Sequence, residues 1–373
     1  MNFLPLLDKL EKTQALTDAE LGGLLEDTSP RLASELALRA RAVRERIYGR
    51  AVYIRGLIEF TNYCRNNCYY CGIRRDNLKA LRYRLTPEEI LACCAEGYQL
   101  GFRTFVLQGG EDAYFTDKRL EGLLRAIKKS YPDCAITLSL GERNRDSYAR
   151  LFKAGADRYL LRHETADEGH YRHLHPREMS LRHRLQCLRD LQAIGYQTGC
   201  GMMVGSPGQT TEHLIKDLRL LQELQPEMAG IGPFIPQHDT PFAMQPPGTA
   251  AGTLKLLSLI RLLLPKVLLP ATTALGTIDP QGREKGLLAG ANVLMTNLSP
   301  LAVRKKYALY DNKICMKEDA AQTLDRLNKQ VEATGYRIVR DRGIIRGVGG
   351  LIQNIIPPRQ ERCSLLANIK INH

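Results

Sequence analysis

Short apolar runs rich in β-branched residues alternate with amphipathic stretches along most of the chain. From residue 50 onward the runs are VYIRGLIEF (52–60), TFVLQGG (104–110), AITLSLGE (135–142), RYLLRHET (158–165), TGCGMMVG (198–205), MAGIGPFIP (228–236), VLLPATTALG (267–276) and NVLMTNLSP (292–300), eight in all. Continuous apolar runs of this length, punctuated by Gly and Pro, read as strands covered on both faces. Between them lie stretches with helical apolar spacing, among them TPEEILACCAEGYQLG, DKRLEGLLRAIKKS, RDSYARLFKAG, SLRHRLQCLRDLQAIG, TTEHLIKDLRLLQEL and TLKLLSLIRLLL. The first begins with Thr86 as N-cap and Pro87 at the first position, carries Glu88 and Glu89 in its first turn, and stops at Gly101. Eight strand–helix units joined by right-handed crossovers close into an α/β fold, a (β/α)8 TIM-type barrel.

The barrel is expected over residues 51–335, with extensions at both ends. Residues 1–50 read as an N-terminal extension of two or three helices, one starting at the capped stretch TDAELGGLLE, placed to plug the barrel floor or cover a face. The stretch AAQTLDRLNKQVEATG from Ala320 reads as the closing helix, with Asp319 as its N-cap. Residues 336–373 form a C-terminal tail, and beyond Ile345 it lacks periodicity, so loose order is expected there.

A length of 373 residues exceeds an ordinary domain but suits one large barrel. No apolar run approaches bilayer thickness, and the opening MNFLPLLDKLEKTQ interleaves charges as an amphipathic helix does, so a cytoplasmic protein without membrane contact is expected. The formal charge of +13 fits a nucleic-acid binder or an enzyme with anionic ligands. The basic residues are scattered, and the densest stretch, RLASELALRARAVRERIYGR, reads as a solvated helix face. Trp is absent and aromatic residues make up only 6%, so no stacking platform for single strands stands out and nucleic acid is disfavoured. Ten cysteines without a secretory signal point to a reducing compartment, and Cys93, Cys94, Cys134, Cys187, Cys200 and Cys363 read as small buried side chains.

The remaining chemistry sits in EFTNYCRNNCYYCGIRRDN, where Cys64, Cys68 and Cys71 follow the first strand in C-x3-C-x2-C spacing. Structural zinc is the alternative, but it takes four protein ligands, and no fourth Cys or His stands nearby in sequence. Three cysteines on a four-iron cube leave one iron open. With Tyr70 preceding the last cysteine, the motif resembles the C-x3-C-x-aromatic-C signature of the radical S-adenosylmethionine (SAM) superfamily. The resemblance implies one [4Fe-4S] cluster on these cysteines, with SAM on the open iron and Tyr70 beside it. It further implies that Gly109 and Gly110 of QGGED admit the SAM amino group to the backbone, with Glu111 contributing charge. Glu164 would accept from the ribose hydroxyls, Arg184 would pair with the SAM carboxylate, and Val204 would border the adenine.

Longer strings, including CRNNCYYCGIRRDN, GADRYLLRHETA, GIGPFIPQHDTP and PATTALGTIDPQGRE, resemble the [FeFe]-hydrogenase maturase family over about residues 50–340. That family implies a small iron-complex substrate, a cysteine-bound iron carrying carbon monoxide and cyanide, whose sulfur a 5′-deoxyadenosyl radical attacks. It implies transient contact with a tyrosine-cleaving maturase and a GTPase scaffold maturase, and a ferredoxin or flavodoxin as electron donor. The substrate pocket would comprise Arg162, Thr272, Thr273, Met228, Met295, Tyr307 and Tyr310. Many members hold an accessory cluster beyond the eighth strand; here only Cys315 remains of its ligands, so no second cluster is expected there. Methylornithine synthase and biotin synthase share the cysteine pattern and define the alternative activities. Biotin synthase holds an interior cluster near the positions of Thr137 and Gly199, with Cys134 and Cys200 close by in this sequence. A nucleic-acid-binding or scaffold protein with a structural cluster is the alternative of another class.

Overall fold

The computed structural model describes residues 3–314 and 318–344. Parallel strands β1 (Ala51–Thr61), β2 (Thr104–Gly109), β3 (Ala135–Ser139), β4 (Arg158–Leu160) and β5 (Gln197–Cys200) lie side by side in chain order. The fifth run continues as β6 (Met203–Val204), and the sixth is split into β7 (Met228–Ala229), beside β5, and β8 (Gly232–Pro233), beside β6. Both runs break at glycine. Gly201 has φ 146°, and a Cβ on it would lie 2.0 Å from the Gly230 carbonyl oxygen.

The seventh run carries the ring onward through single parallel bridges, Met228 to Leu268 and Pro270 to Val293. It stops earlier than its sequence predicts. Pro270 has no N–H to donate, and Thr272 turns the chain by capping the helix Thr273–Ile278. Strand β9 (Val293–Asn297) then pairs with β1 and closes the barrel. Helices with the expected caps cover the outside, including Pro87–Gln99, Thr211–Leu224 and Ala320–Ala333, each opened by a reciprocal capping box at Thr86, Thr210 or Asp319. No described helix is long and apolar enough to cross a membrane.

Both extensions seal the floor. The N-terminal helices Leu4–Thr13, Asp18–Glu26 and Pro30–Tyr48 wrap the flank, the third lying along the helix Ala250–Leu263. Tyr48 at its end packs with Tyr53, Met228, Leu268 and Val293. Within the stretch assigned to the C-terminal tail, β10 (Arg337–Val339) pairs with β1 at Ala51–Tyr53. Just beyond it, Arg158 donates to the carbonyls of Arg342 and Gly343 at 2.8 and 2.9 Å. Residues 345–373, and with them the stretch beyond Ile345 expected to be loosely ordered, lie outside the described residues.

Seven arginines among the described residues are directed inward. Arg44, Arg55, Arg158, Arg184, Arg261, Arg283 and Arg304 are all buried. Arg44, on the helix read as a solvated face, is 0% exposed and donates to the carbonyls of Gly49 and Ala51 at 2.5 and 2.6 Å. Arg261 donates to the carbonyls of Gly290, Pro265 and Val267, each at 2.8 Å. These guanidiniums supply donors to carbonyls that loops leave unpaired, a role set by their several fixed N–H groups.

Candidate active site

The three cysteines lie on a loop built over the C-terminal end of β1. Its backbone is tied to three neighbours: Arg65 N donates to Glu111 O, Tyr69 N to Leu174 O, and Gly72 N to Leu309 O. From within, the Arg82 guanidinium donates to the carbonyls of Asn62, Ile73, Arg74 and Asn77 at 2.5, 2.8, 2.6 and 3.2 Å. At its start, Thr61 Oγ1 donates to Asp112, which also takes both arms of Arg84 at 2.7 and 2.9 Å. Sequence reasoning missed Arg82, because an arginine that braces carbonyls carries no local signature. Arg82→Met is expected to keep the barrel folded but to cut the iron retained after reconstitution severalfold, measured as iron per chain. The physical basis is the roughly 1–3 kcal/mol cost of a carbonyl left without a donor, which falls on Asn62 and Ile73, since the carbonyls of Arg74 and Asn77 also accept from Asn77 N and Ala80 N.

Burial raises the thiol of Cys71 to about 12 and lifts those of Cys64 and Cys68 above the ordinary range. Three such thiols on one loop are held together as thiolates only by a cationic centre. Among the described residues, no three His, Cys, Asp or Glu side chains converge closely enough to share a single metal ion. A structural zinc takes four protein ligands, whereas on a four-iron cube three cysteines each take one iron and leave the fourth open. The donor set thus fits the cluster implied by the motif.

The other expected cofactor contacts gather on the same mouth. Gly110 passes under the cysteine loop so closely that a Cβ would lie 2.2 Å from Tyr63 O and 2.7 Å from Cys64 Cβ, and Gly109 packs on Thr61. Glu111 has both oxygens engaged, one with Arg65 Nε at 2.8 Å and one with the Glu142 N–H at 2.7 Å. Arg184 reaches in from the helix Leu181–Ile194, with Nε on Glu142 Oε1 at 2.5 Å and Nη1 on Arg162 O at 2.9 Å. Glu142 was missed, although it ends the third run, much as Glu164 stands one residue before the end of the fourth.

Glu164 adopts the left-handed conformation, with φ 67°, unusual for a residue with a Cβ. Its neighbours fix it there. Its N–H donates to Gly201 O, its carbonyl accepts from Met203 N, and His163 beside it is locked in the core against Asp217 at 3.2 Å. Burial raises the Asp217 carboxyl, opposed by the hydrogen bond from His163. Glu164 Oε2 is buried without a hydrogen bond, 2.9 Å from Arg162 Nη2. Val204 lies in β6, and Tyr70 donates or accepts at 3.1 Å with His175.

Strand register sorts the interior. Leu57, Met295, Asn297 and Thr273 line a cavity of about 10 Å³ with Arg283, Lys313 and Ile314. Parallel pairing places Arg55, Val106, Thr137, Gly199 and Met228 on the same inner face. Cys200 follows Gly199 on β5 and so faces the helices, and Cys134 precedes β3 with its thiol 3.9 Å from Phe102 O. Neither stands where an interior cluster needs it. Cys315 lies outside the described residues.

Thr272 spends its hydroxyl on the N–H of Leu275, and Thr273 Oγ1 is 3.4 Å from Arg283 Nη2. Tyr307 is buried, with its hydroxyl 3.4 Å from Gln108 Nε2 and its ring 5.0 Å from Lys313 Nζ, while Tyr310 is half-buried on the same segment. Lys313 pairs with Glu59, which also accepts from Asn297. Arg55 donates to Met228 Sδ at 2.9 Å, and its Nε and Nη2 find no partner. Arg55 could have been found in the sequence as one of two charges, with Glu59, inside the apolar run VYIRGLIEF.

The model of the radical SAM superfamily matches residues 58–221, from β1 through the helix Thr211–Leu224. The chain belongs to that superfamily, and to its [FeFe]-hydrogenase maturase family, HydE. The [FeFe] hydrogenase maturase subunit HydE of Thermotoga maritima is 45% identical over 338 residues, covering 91% of this chain and 96% of its own length. The 3-methylornithine synthase of Methanosarcina barkeri is 31% identical over 340 residues, covering 91% and 95%. A crystal structure of methylornithine synthase superposes with a TM-score of 0.79 at 28% identity, covering 90% of this chain and 97% of its own.

Proposed function

We propose that the chain holds one [4Fe-4S] cluster on Cys64, Cys68 and Cys71, binds SAM at the open iron, and acts on a cysteine-bound iron complex carrying carbon monoxide and cyanide. The convergence of three buried thiols, a closely packed glycine pair and the buried Glu164 carboxylate, ion-paired with Arg162, on one barrel mouth carries this reading. Cys64, Cys68 and Cys71 would hold the cluster, which when bound would supply the electron for reductive cleavage of SAM and so the radical chemistry directed at the substrate sulfur.

The chain's own residues bind, orient and exclude water. Glu164 Oε2 accepts from the ribose hydroxyls, and Arg184, steadied by Glu142, presents its remaining N–H groups to the SAM carboxylate. Gly109 and Gly110 let the amino group reach the backbone, Glu111 holds the cysteine loop through Arg65, and Tyr70 and Val204 flank the adenosyl group. Below them, Arg55 is a fully buried guanidinium with no carboxylate among its partners, and burial with the charge of Arg158 lowers its pKa well below the ordinary value. A buried cation so placed favours an anionic ligand, which suits a cyanide-bearing substrate. Arg162, Thr272, Thr273, Met228, Met295, Tyr307 and Tyr310 complete its pocket. The floor sealed by Tyr48 and Gly343 keeps bulk water from the radical. In this reading the tyrosine-cleaving maturase supplies the substrate, the GTPase scaffold maturase receives the product, and a ferredoxin or flavodoxin donates electrons. A reducing cytoplasm fits the free state of the described cysteines.

Anaerobic reconstitution followed by EPR of the reduced protein, with chromatography for 5′-deoxyadenosine, tests the first part. A four-iron signal that shifts on adding SAM, with adenosyl product, is expected; a cluster indifferent to SAM overturns it. The likeness to methylornithine synthase favours one second reading, an amino-acid mutase. Incubating the reduced protein with lysine distinguishes the two, because a rearranged amino acid would sink the maturase substrate.

A further inference from the structure

His175 lies between the helices Glu168–Leu174 and Leu181–Ile194 and is 1% exposed. Its ring stacks on Tyr171, with centroids 4.0 Å apart and planes at 22°. On its other side Tyr70 meets it edge-on at 5.4 Å and 88°. Its Nδ1 lies 2.9 Å from the Tyr171 carbonyl oxygen, which can only accept, so Nδ1 carries a proton. Burial, with the charge of Arg184 adding to it, lowers the imidazole to about 3, so the ring is neutral and Nε2 is a bare acceptor. The Tyr70 hydroxyl, 3.1 Å away, therefore donates to Nε2.

Tyr70 stands between Cys68 and Cys71, its hydroxyl also lies within hydrogen-bonding reach of the Cys68 thiol, and its surroundings include the charges of Glu164 and Arg184. A phenol here with a free rotor would turn its proton toward thiolate sulfur or toward Glu164, in competition with the ribose. We propose that His175 is a positioning residue for SAM: by accepting the Tyr70 proton it fixes the phenol ring against the SAM pocket and points its O–H away from the cluster cysteines and Glu164. The inference rests on the SAM-binding reading above. Its range is the adenosyl end of the cofactor, and it leaves cluster assembly unaffected.

The test is a double-mutant cycle on SAM affinity, read by equilibrium dialysis and by the SAM-induced shift of the reduced-cluster EPR signal. His175→Phe keeps an aromatic ring for the stack on Tyr171 but removes the acceptor. Tyr70→Phe keeps the ring and removes the donor. Each is expected to weaken SAM binding about tenfold at unchanged iron content, the size of one lost buried hydrogen bond. The double variant is expected to be no weaker than either single one, and His175→Gln, whose amide oxygen accepts, recovers most of the affinity. Wild-type affinity in His175→Phe, multiplying effects in the double variant, or loss of iron in Tyr70→Phe overturns the inference. If the reconstituted wild-type protein itself fails to bind SAM, the underlying reading falls instead.

Discussion

Cys68→Ser abolishes both cluster and SAM cleavage, with no adenosyl product above background, whereas Cys134→Ala retains both. The two thiols differ in place rather than in chemistry. Cys68 sits on the braced loop with Cys64 and Cys71, packed against Met179 at 3.8 Å, and electrostatics tie it to both neighbouring cysteines. A serine hydroxyl is a poor ligand for iron, and with two cysteines left the cube has two open corners instead of one. Cys134 faces the helical layer, and trimming it costs about 1 kcal/mol of packing, with no link to the mouth. Iron per chain and 5′-deoxyadenosine yield measure the contrast. Full iron content in Cys68→Ser would falsify the ligand assignment.

Arg184→Met is expected to lower stability and SAM affinity together, by mechanisms that a second substitution separates. Arg184 and Glu142 are each about nine-tenths buried and meet at 2.5 Å, so losing the arginine strands a buried carboxylate. Breaking such a pair from one side costs about 3–5 kcal/mol. His183 Nε2, 3.5 Å from Glu142 Oε2, offsets part of this, which puts the expected loss at the lower end. Adding Glu142→Gln removes the stranded charge and is expected to restore most of the stability while SAM affinity stays low. Arg184→Lys keeps the charge but not the fork, so stability recovers further than binding. Chemical denaturation and equilibrium dialysis on the same samples check both. Recovery of SAM affinity in the Met/Gln double variant would show that Arg184 supports the fold alone.

The repeat of strand and helix was readable because it is local. Thr86 and Asp319 announce their helices through side-chain bonds spanning three residues, and the cysteine loop announces itself by spacing. Runs six and seven were harder. Each is cut by what its neighbour does, Gly230 by the close approach of Gly201, and the seventh by Pro270 and the Thr272 cap, so length alone overestimated both strands.

The same division holds at the site. Spacing by itself grouped Cys64, Cys68 and Cys71 after the first strand as the proposed donor set, because ligand geometry is imposed over eight consecutive residues. Gly110 and Glu164 follow strands whose C-terminal ends meet at the barrel mouth whatever the loops do, whereas Arg184, on the helix Leu181–Ile194, was legible only through the family resemblance, because its spacing alone reads as a surface arginine. Which charges those residues would find was decided only in three dimensions. Glu142 is 42 residues from Arg184, Lys313 is 254 from Glu59, and Tyr70 is 105 from His175. A buried guanidinium or imidazole takes the partner that folding brings to it, and desolvation makes that partner obligatory; no periodicity along the chain records the pairing.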